Sequence, residues 1–246
     1  MNKRSGSIIL GAILVSLSFL IYAIHFFVFK DMHHILIYLV GDIAFVPFEV
    51  LLVTLILHRV LDAREKNILK KKLNMVIGLF FNEIGTDLLK NMSAFAMDFE
   101  DISLDLLVRN NWSQKKFSKV LKKIKRKKII LNLKKSDLNN LKSFLHDKRM
   151  FILTLLANPN LLEHESFTDL LWAVFHLLSE LDERTSLDDL LEGDMKHLRG
   201  DMHRALTLLL FEWMQYMRHL KTDYPYLFSL ALRTNPFDAE VSVIVQ

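Results

Sequence analysis

Two carboxylates sit in a stretch that is otherwise apolar. Asp42 and Glu49 lie between Ile35 and Leu57, seven residues apart, with Pro47 between them. On a helix that spacing puts both on one face, about 20° apart. A charge at the centre of a bilayer costs about 2.5–3.5 kcal/mol even on a lenient scale, so such groups face protein or water. Pro47 removes one intrahelical hydrogen bond and leaves the Ile43 carbonyl free. Two chemistries fit. One is a ring of acids around a cation or proton path in an oligomer. The other is a pair of protonated carboxyls hydrogen-bonded to a preceding helix through Ser16, Ser18 or Tyr22. A two-helix hairpin has almost no interior, so either way the pair points to self-association, a homo-oligomer.

A second set of residues could bind a metal. Glu165, Asp169, Trp172, His176 and Glu180 share one side of a predicted helix, and His197, Asp201, Glu212, Gln215 and His219 share one side of the next. Two facing helices can hold a transition ion between such groups, and His176, Glu180, His197 and Asp201 are the positions it would use. Neither helix carries Glu-x-x-His or His-Glu-x-x-His, so the expectation is a solvated face and no metal. A third set is basic: Lys115, Lys116, Lys119, Lys122, Lys123, Lys125, Arg126, Lys127 and Lys128, interleaved with Phe117, Val120, Leu121 and Ile124. This amphipathic run suits anionic lipid headgroups or an unidentified cytoplasmic protein, and each cation near an anionic leaflet contributes about 1 kcal/mol. Nucleic acid is not expected, because Phe117 is the run's one aromatic and no groove-reading module is present.

Other chemistry has little support. There is no Cys, which excludes disulfides, thiolate metal sites and cysteine nucleophiles. Seven Gly in 246 residues leave little for phosphate-cradling loops, and no Gly-x-x-x-x-Gly-Lys, Gly-x-Ser-x-Gly or Gly-x-Gly-x-x-Gly occurs. The expectation is therefore no enzyme and no cofactor, with a metal-dependent enzyme as the outlying alternative.

The elements that position these groups follow from hydropathy. Ile8 to Phe29 contains no Asp, Glu, Lys or Arg and reaches about 33 Å as a helix, enough for a hydrocarbon core of about 30 Å. It exceeds a signal-peptide core and is followed at once by a second span, so an uncleaved transmembrane pair is predicted. Only Lys30 to His34 separates the spans, which forces an antiparallel hairpin. Lys3 and Arg4 precede it, while Arg59, Arg64, Lys66, Lys70, Lys71 and Lys72 follow, against Lys30 alone in the link. Both termini are thus predicted to be cytoplasmic, in a multi-pass cell-membrane protein. His25, His33 and His34 then gather near the outer surface, read as neutral imidazoles at headgroup level.

The predicted fold is all-α: a transmembrane hairpin over 1–60 (spans about 8–29 and 35–57), a juxtamembrane helical stalk over 61–95, and a cytoplasmic helical domain over 96–246 with the basic helix at about 113–128. Asp98, Glu100, Asp101 and Asp105 form an acidic cluster before Asn110-Asn111-Trp112-Ser113, where Ser113 reads as an N-cap. The segment from Glu163 to Asp201 is rich in Asp and Glu, including Asp188 and Asp189, and is a candidate dock for the basic helix. One helix is predicted from Ser166 or Thr168 to Leu181, with Leu170, Leu171, Val174, Leu177, Leu178 and Leu181 as its apolar stripe. Another runs from Asp194 to Lys221, with Leu198, Met202, Leu206, Leu209, Leu210, Trp213, Met217 and Leu220 facing the core. Gly193 reads as part of their connection.

Beyond Pro225 a short helix is expected from Leu227 to Arg233, with Tyr224, Tyr226, Phe228 and Phe237 packing on the bundle. This stretch, together with Arg59 to Glu83, resembles a group of uncharacterised prokaryotic two-span membrane proteins; the resemblance implies architecture only. The leading functional expectation is a non-enzymatic, self-associating membrane protein whose helical domain binds itself, a partner or the inner leaflet.

Overall fold

The structure, a computed structural model, describes residues 3–97, 99–188 and 190–238. Asp98 and Asp189 of the two acidic stretches lie outside the described residues. The chain divides into two compact units, one up to Lys66 and one from Asn67 onward. The first holds α1 (Lys3–Phe29) and most of α2 (Met32–Phe80). Both helices are long and apolar enough to cross a membrane, and their apolar windows are unburied. The reversal between them needs two residues. Lys30 adopts a positive φ of 51° and its N–H closes α1 on the Phe26 carbonyl at 2.8 Å, the left-handed C-terminal cap that glycine usually supplies. Asp31 then accepts the His34 N–H at 3.0 Å and caps α2.

The second unit is a helical bundle. The last turns of α2 give Leu73, Ile77 and Phe80 to its core. A π-turn at Phe81–Gly85 follows, and α3 (Thr86–Ser93) continues with Leu88, Leu89 and Met92 buried. The stretch read as a separate stalk is therefore divided: from Leu73 onward its apolar residues recur at helical spacing and belong to the bundle core. The chain then forms α4 (Phe99–Leu106), α5 (Gln114–Arg126), α6 (Lys135–Asp147), α7 (Arg149–Leu156), a 3-10 turn (Pro159–Glu163), α8 (Glu165–Asp182), α9 (Glu192–Asp223) and α10 (Pro225–Arg233). One antiparallel bridge joins Ala96 and Leu131.

The centre of the bundle is α9, against which α3, α5, α8 and α10 pack. Every residue of the two predicted apolar stripes on α8 and α9 is buried. Helix α5 begins as its sequence predicts, with Ser113 Oγ accepting the Lys116 N–H at 3.3 Å. Ser113→Ala removes this cap and lowers bundle stability by about 1 kcal/mol, read as a shifted urea midpoint. All three tryptophans, Trp112, Trp172 and Trp213, lie in the second unit, so their fluorescence reports its unfolding. An unchanged midpoint would show that the cap contributes nothing.

Three local expectations are corrected. The N-cap of α8 is His164, whose Nδ1 accepts from Phe167 N at 3.3 Å, while Ser166 and Thr168 lie inside the first turn. Thr168 instead donates to the Leu161 carbonyl at 2.6 Å. Gly193 lies within the first turn of α9, which starts at Glu192; an acidic first turn offsets its poor propensity. Phe228 and Phe237 are buried and Tyr224 half-buried, but Tyr226 is exposed. The buried Asn235 fastens the end of this stretch by donating to the Leu106 carbonyl at 3.2 Å.

Candidate functional site

On α2, Asp42, Pro47 and Glu49 are all exposed, among exposed Ile43, Phe45, Val46 and Phe48. Among the described residues no hydrogen bond joins either carboxylate to Ser16, Ser18 or Tyr22, although all lie in the same unit. The lone hairpin does not satisfy these two groups. His25 and His34 approach at 6.0 Å between ring centroids, and His34 meets Tyr38 at 4.7 Å, at the α1–α2 reversal.

Helix α5 turns Phe117, Val120, Leu121 and Ile124 inward. Periodicity leaves Lys115, Lys116, Lys119, Lys122, Lys123, Lys125 and Arg126 exposed; Lys127, half-buried, and Lys128, exposed, follow the helix. Lys123 meets Asp105, Lys116 lies 5.3 Å from the Trp112 ring centre, and Lys125 lies 4.3 Å from that of Phe211. Three acids of the predicted dock meet other groups within the bundle, while Glu165 and Asp169 stay exposed. Glu180 and Asp194 hold Arg184, and Asp182 holds His146 at 3.1 Å.

The third set assembles between α8 and α9. His176 and Glu180 lie one turn apart on α8, and His197 and Asp201 one turn apart on α9. His176 Nε2 lies 3.9 Å from Glu180 Oε1 and 3.5 Å from Asp201 Oδ2. His197 Nε2 lies 3.6 Å from Glu180 Oε2 and 3.2 Å from Asp201 Oδ2. Both imidazoles are about half exposed, whereas the Asp201 side chain is 5% exposed. The remaining members of the two stripes go elsewhere. Glu165, Asp169 and Trp172 face solvent, His219 contacts Asp223 at 2.7 Å and Asn74 at 3.2 Å, and Glu212 is fully buried.

Arg184 is a neighbour that the sequence reading did not single out. Its guanidinium donates to Glu180 Oε2 at 2.8 Å and to Asp194 through Nε at 3.1 Å and Nη2 at 2.5 Å. This hydrogen bond holds the Glu180 carboxyl below its usual range, and a like bond does the same for Asp194. The four-residue spacing of Glu180 and Arg184 was the available signal; Asp194 reaches them only through the turn between the helices.

Two family profiles match the chain. Residues 2–61 match "MJ1433, N-terminal helical domain", and residues 69–233 match "Uncharacterized protein MJ1433, C-terminal helical domain". Uncharacterized protein MJ1433 of Methanocaldococcus jannaschii is 44% identical over 246 residues, covering 100% of this chain and 98% of the relative. No solved structure matches.

Proposed function

Because the chain belongs to the MJ1433 family, built of an N-terminal and a C-terminal helical part, we propose that it is a membrane-anchored protein that associates with copies of itself through α2. The carrying observation is that Asp42 and Glu49 share one face of an exposed apolar helix, with no hydrogen-bond partner in the hairpin. In lipid such groups need protein or water beside them. A second copy supplies both. Span length supports insertion, and the cations flanking α1 and α2 support cytoplasmic termini. The cationic face of α5 supports contact with an anionic inner leaflet, since a domain tethered to a membrane meets its headgroups at high effective concentration.

The test is the mass of the full chain in detergent across a dilution series. A defined oligomer is expected, and Asp42→Leu with Glu49→Leu, which removes the polar groups that need a partner, should weaken it by about tenfold or more, about 1.4 kcal/mol. A strict monomer at every concentration would sink the proposal. In the oligomer these carboxylates, beside the Ile43 carbonyl freed by Pro47, would also suit a cation or proton path. Liposomes carrying the wild type, with the double variant as control, would report such a path as flux.

A further inference from the structure

We propose that His176, Glu180, His197 and Asp201 form a binding site for one divalent transition-metal ion of the zinc class. The site does not depend on the association of the hairpin. It is built on two helices that pack along each other, α8 and α9, and each helix offers an imidazole and a carboxylate one turn apart. Donor atoms on a tetrahedron with metal–ligand distances of 2.0–2.1 Å stand about 3.3 Å apart. The four imidazole–carboxylate separations here run from 3.2 to 3.9 Å, with Glu180 meeting His176 through Oε1 and His197 through Oε2. Donors of His176, Glu180 and His197 also lie within 4.8 Å of one another.

Asp201 supplies a second observation. Its side chain is nearly fully buried, and its Oδ2 has no hydrogen-bond partner. A buried carboxylate oxygen without a donor is costly, and this one is aimed at both Nε2 atoms. A cation at their meeting point supplies what the oxygen lacks. Behind Glu180 stands Arg184, itself fixed by Asp194, in the manner of outer-shell partners that orient a ligating carboxylate. Two imidazoles with two carboxylates suit zinc and its transition-metal neighbours rather than magnesium or calcium, which take all-oxygen shells. Access is open. Depressions lined by Trp172 and Arg204 on one side and by Lys196 and Gly200 on the other reach the cluster from solvent.

The competing account is an ion-pair cluster in which protonated imidazoles satisfy the carboxylates without metal. Full-length protein, purified in detergent without chelators, is titrated with Co2+ and then Zn2+, and its metal content is measured. One ion per chain is expected, with visible Co2+ absorption bands that Zn2+ abolishes. The His176→Ala/His197→Ala double variant changes half-exposed positions, so tryptophan-monitored unfolding should show it folded, with affinity lowered by about 100-fold or more. Arg184→Gln, which leaves all four donors in place, should lower affinity by about 10–100-fold. His146→Ala, on the neighbouring ion pair, should bind as the wild type does. Failure to take up an ion in stoichiometric amount, or uptake undiminished in the double variant, would overturn the proposal.

Discussion

Gly85→Ala lowers the stability of the helical bundle by about 2–3 kcal/mol. The π-turn brings this position so close to its neighbours that an added Cβ would stand 2.5 Å from Phe81 Cδ1 and 2.8 Å from Phe80 Cε1. Neither ring has room to retreat. Phe80 and Phe81 are 0% and 1% exposed. Phe80 meets the Phe167 ring edge-on at 5.3 Å, and Phe81 stacks on Tyr216 at 5.1 Å. The backbone at Gly85 is helical, with φ −61°, so alanine would gain up to about 1 kcal/mol of propensity, less than the cost of overpacking. Gly78 makes the control, because a Cβ there meets Tyr216 at an ordinary 3.6 Å. Urea unfolding followed by tryptophan fluorescence should show Gly85→Ala well below Gly78→Ala. Equal midpoints for the two variants would refute the crowding argument.

Glu212→Gln removes a pH dependence from folding. Glu212 is fully buried on α9, and the Ser166 hydroxyl beside its carboxylate falls short of regular hydrogen-bond geometry. Burial pushes its pKa up, and the Ser166 hydroxyl, then the charges of His164 and Lys125, only partly oppose this. The sign follows by linkage. Below the ordinary glutamate range the group is neutral in both states and costs nothing. As pH rises through that range the unfolded chain ionises while the folded chain stays neutral, so stability falls, by at most about 1.4 kcal/mol per pH unit. The fall ends where the folded carboxyl itself ionises. Glu212→Gln cannot ionise, so it should lose this decline, and its stability relative to the wild type should rise with pH across the window. Unfolding curves collected from pH 4 to 8 decide the matter: parallel stability profiles for the two proteins would exclude a buried neutral carboxyl.

Periodicity carried much of the fold. The apolar stripes of α8 and α9, the inward face of α5 and its Ser113 cap are read from spacing, because one buried face and one cap are local facts. Glu212 shows where this stops. It was assigned to a polar face on spacing, but α9 is covered by four helices and has no continuous solvent side near Trp213. The candidate metal site divides in the same way. Spacing places His176 with Glu180 and His197 with Asp201, since residues four apart share a helix face. That the two pairs meet at one level depends on the register between α8 and α9, which the intervening turn and the packed leucines set. Arg184 and Asp194 come together for the same tertiary reason. The π-turn has no sequence signal beyond Gly85, so nothing in the hydropathy separates it from continuous α-helix.

That wide turn has a consequence for which changes of chain length the protein tolerates. A π-turn holds one more residue than an α-turn, and so behaves as an accommodated insertion. Removing one residue between Phe81 and Gly85 would let the helix run on unbroken with its later residues still in phase, but winding all five as α-helix would swing everything after them by about 90° around the axis. Leu88, Leu89 and Met92, now packed inside, would be carried round to the surface. The wide turn is therefore the phase correction that absorbs the inserted residue and lets one long apolar helix end and an amphipathic one begin without the chain leaving its axis.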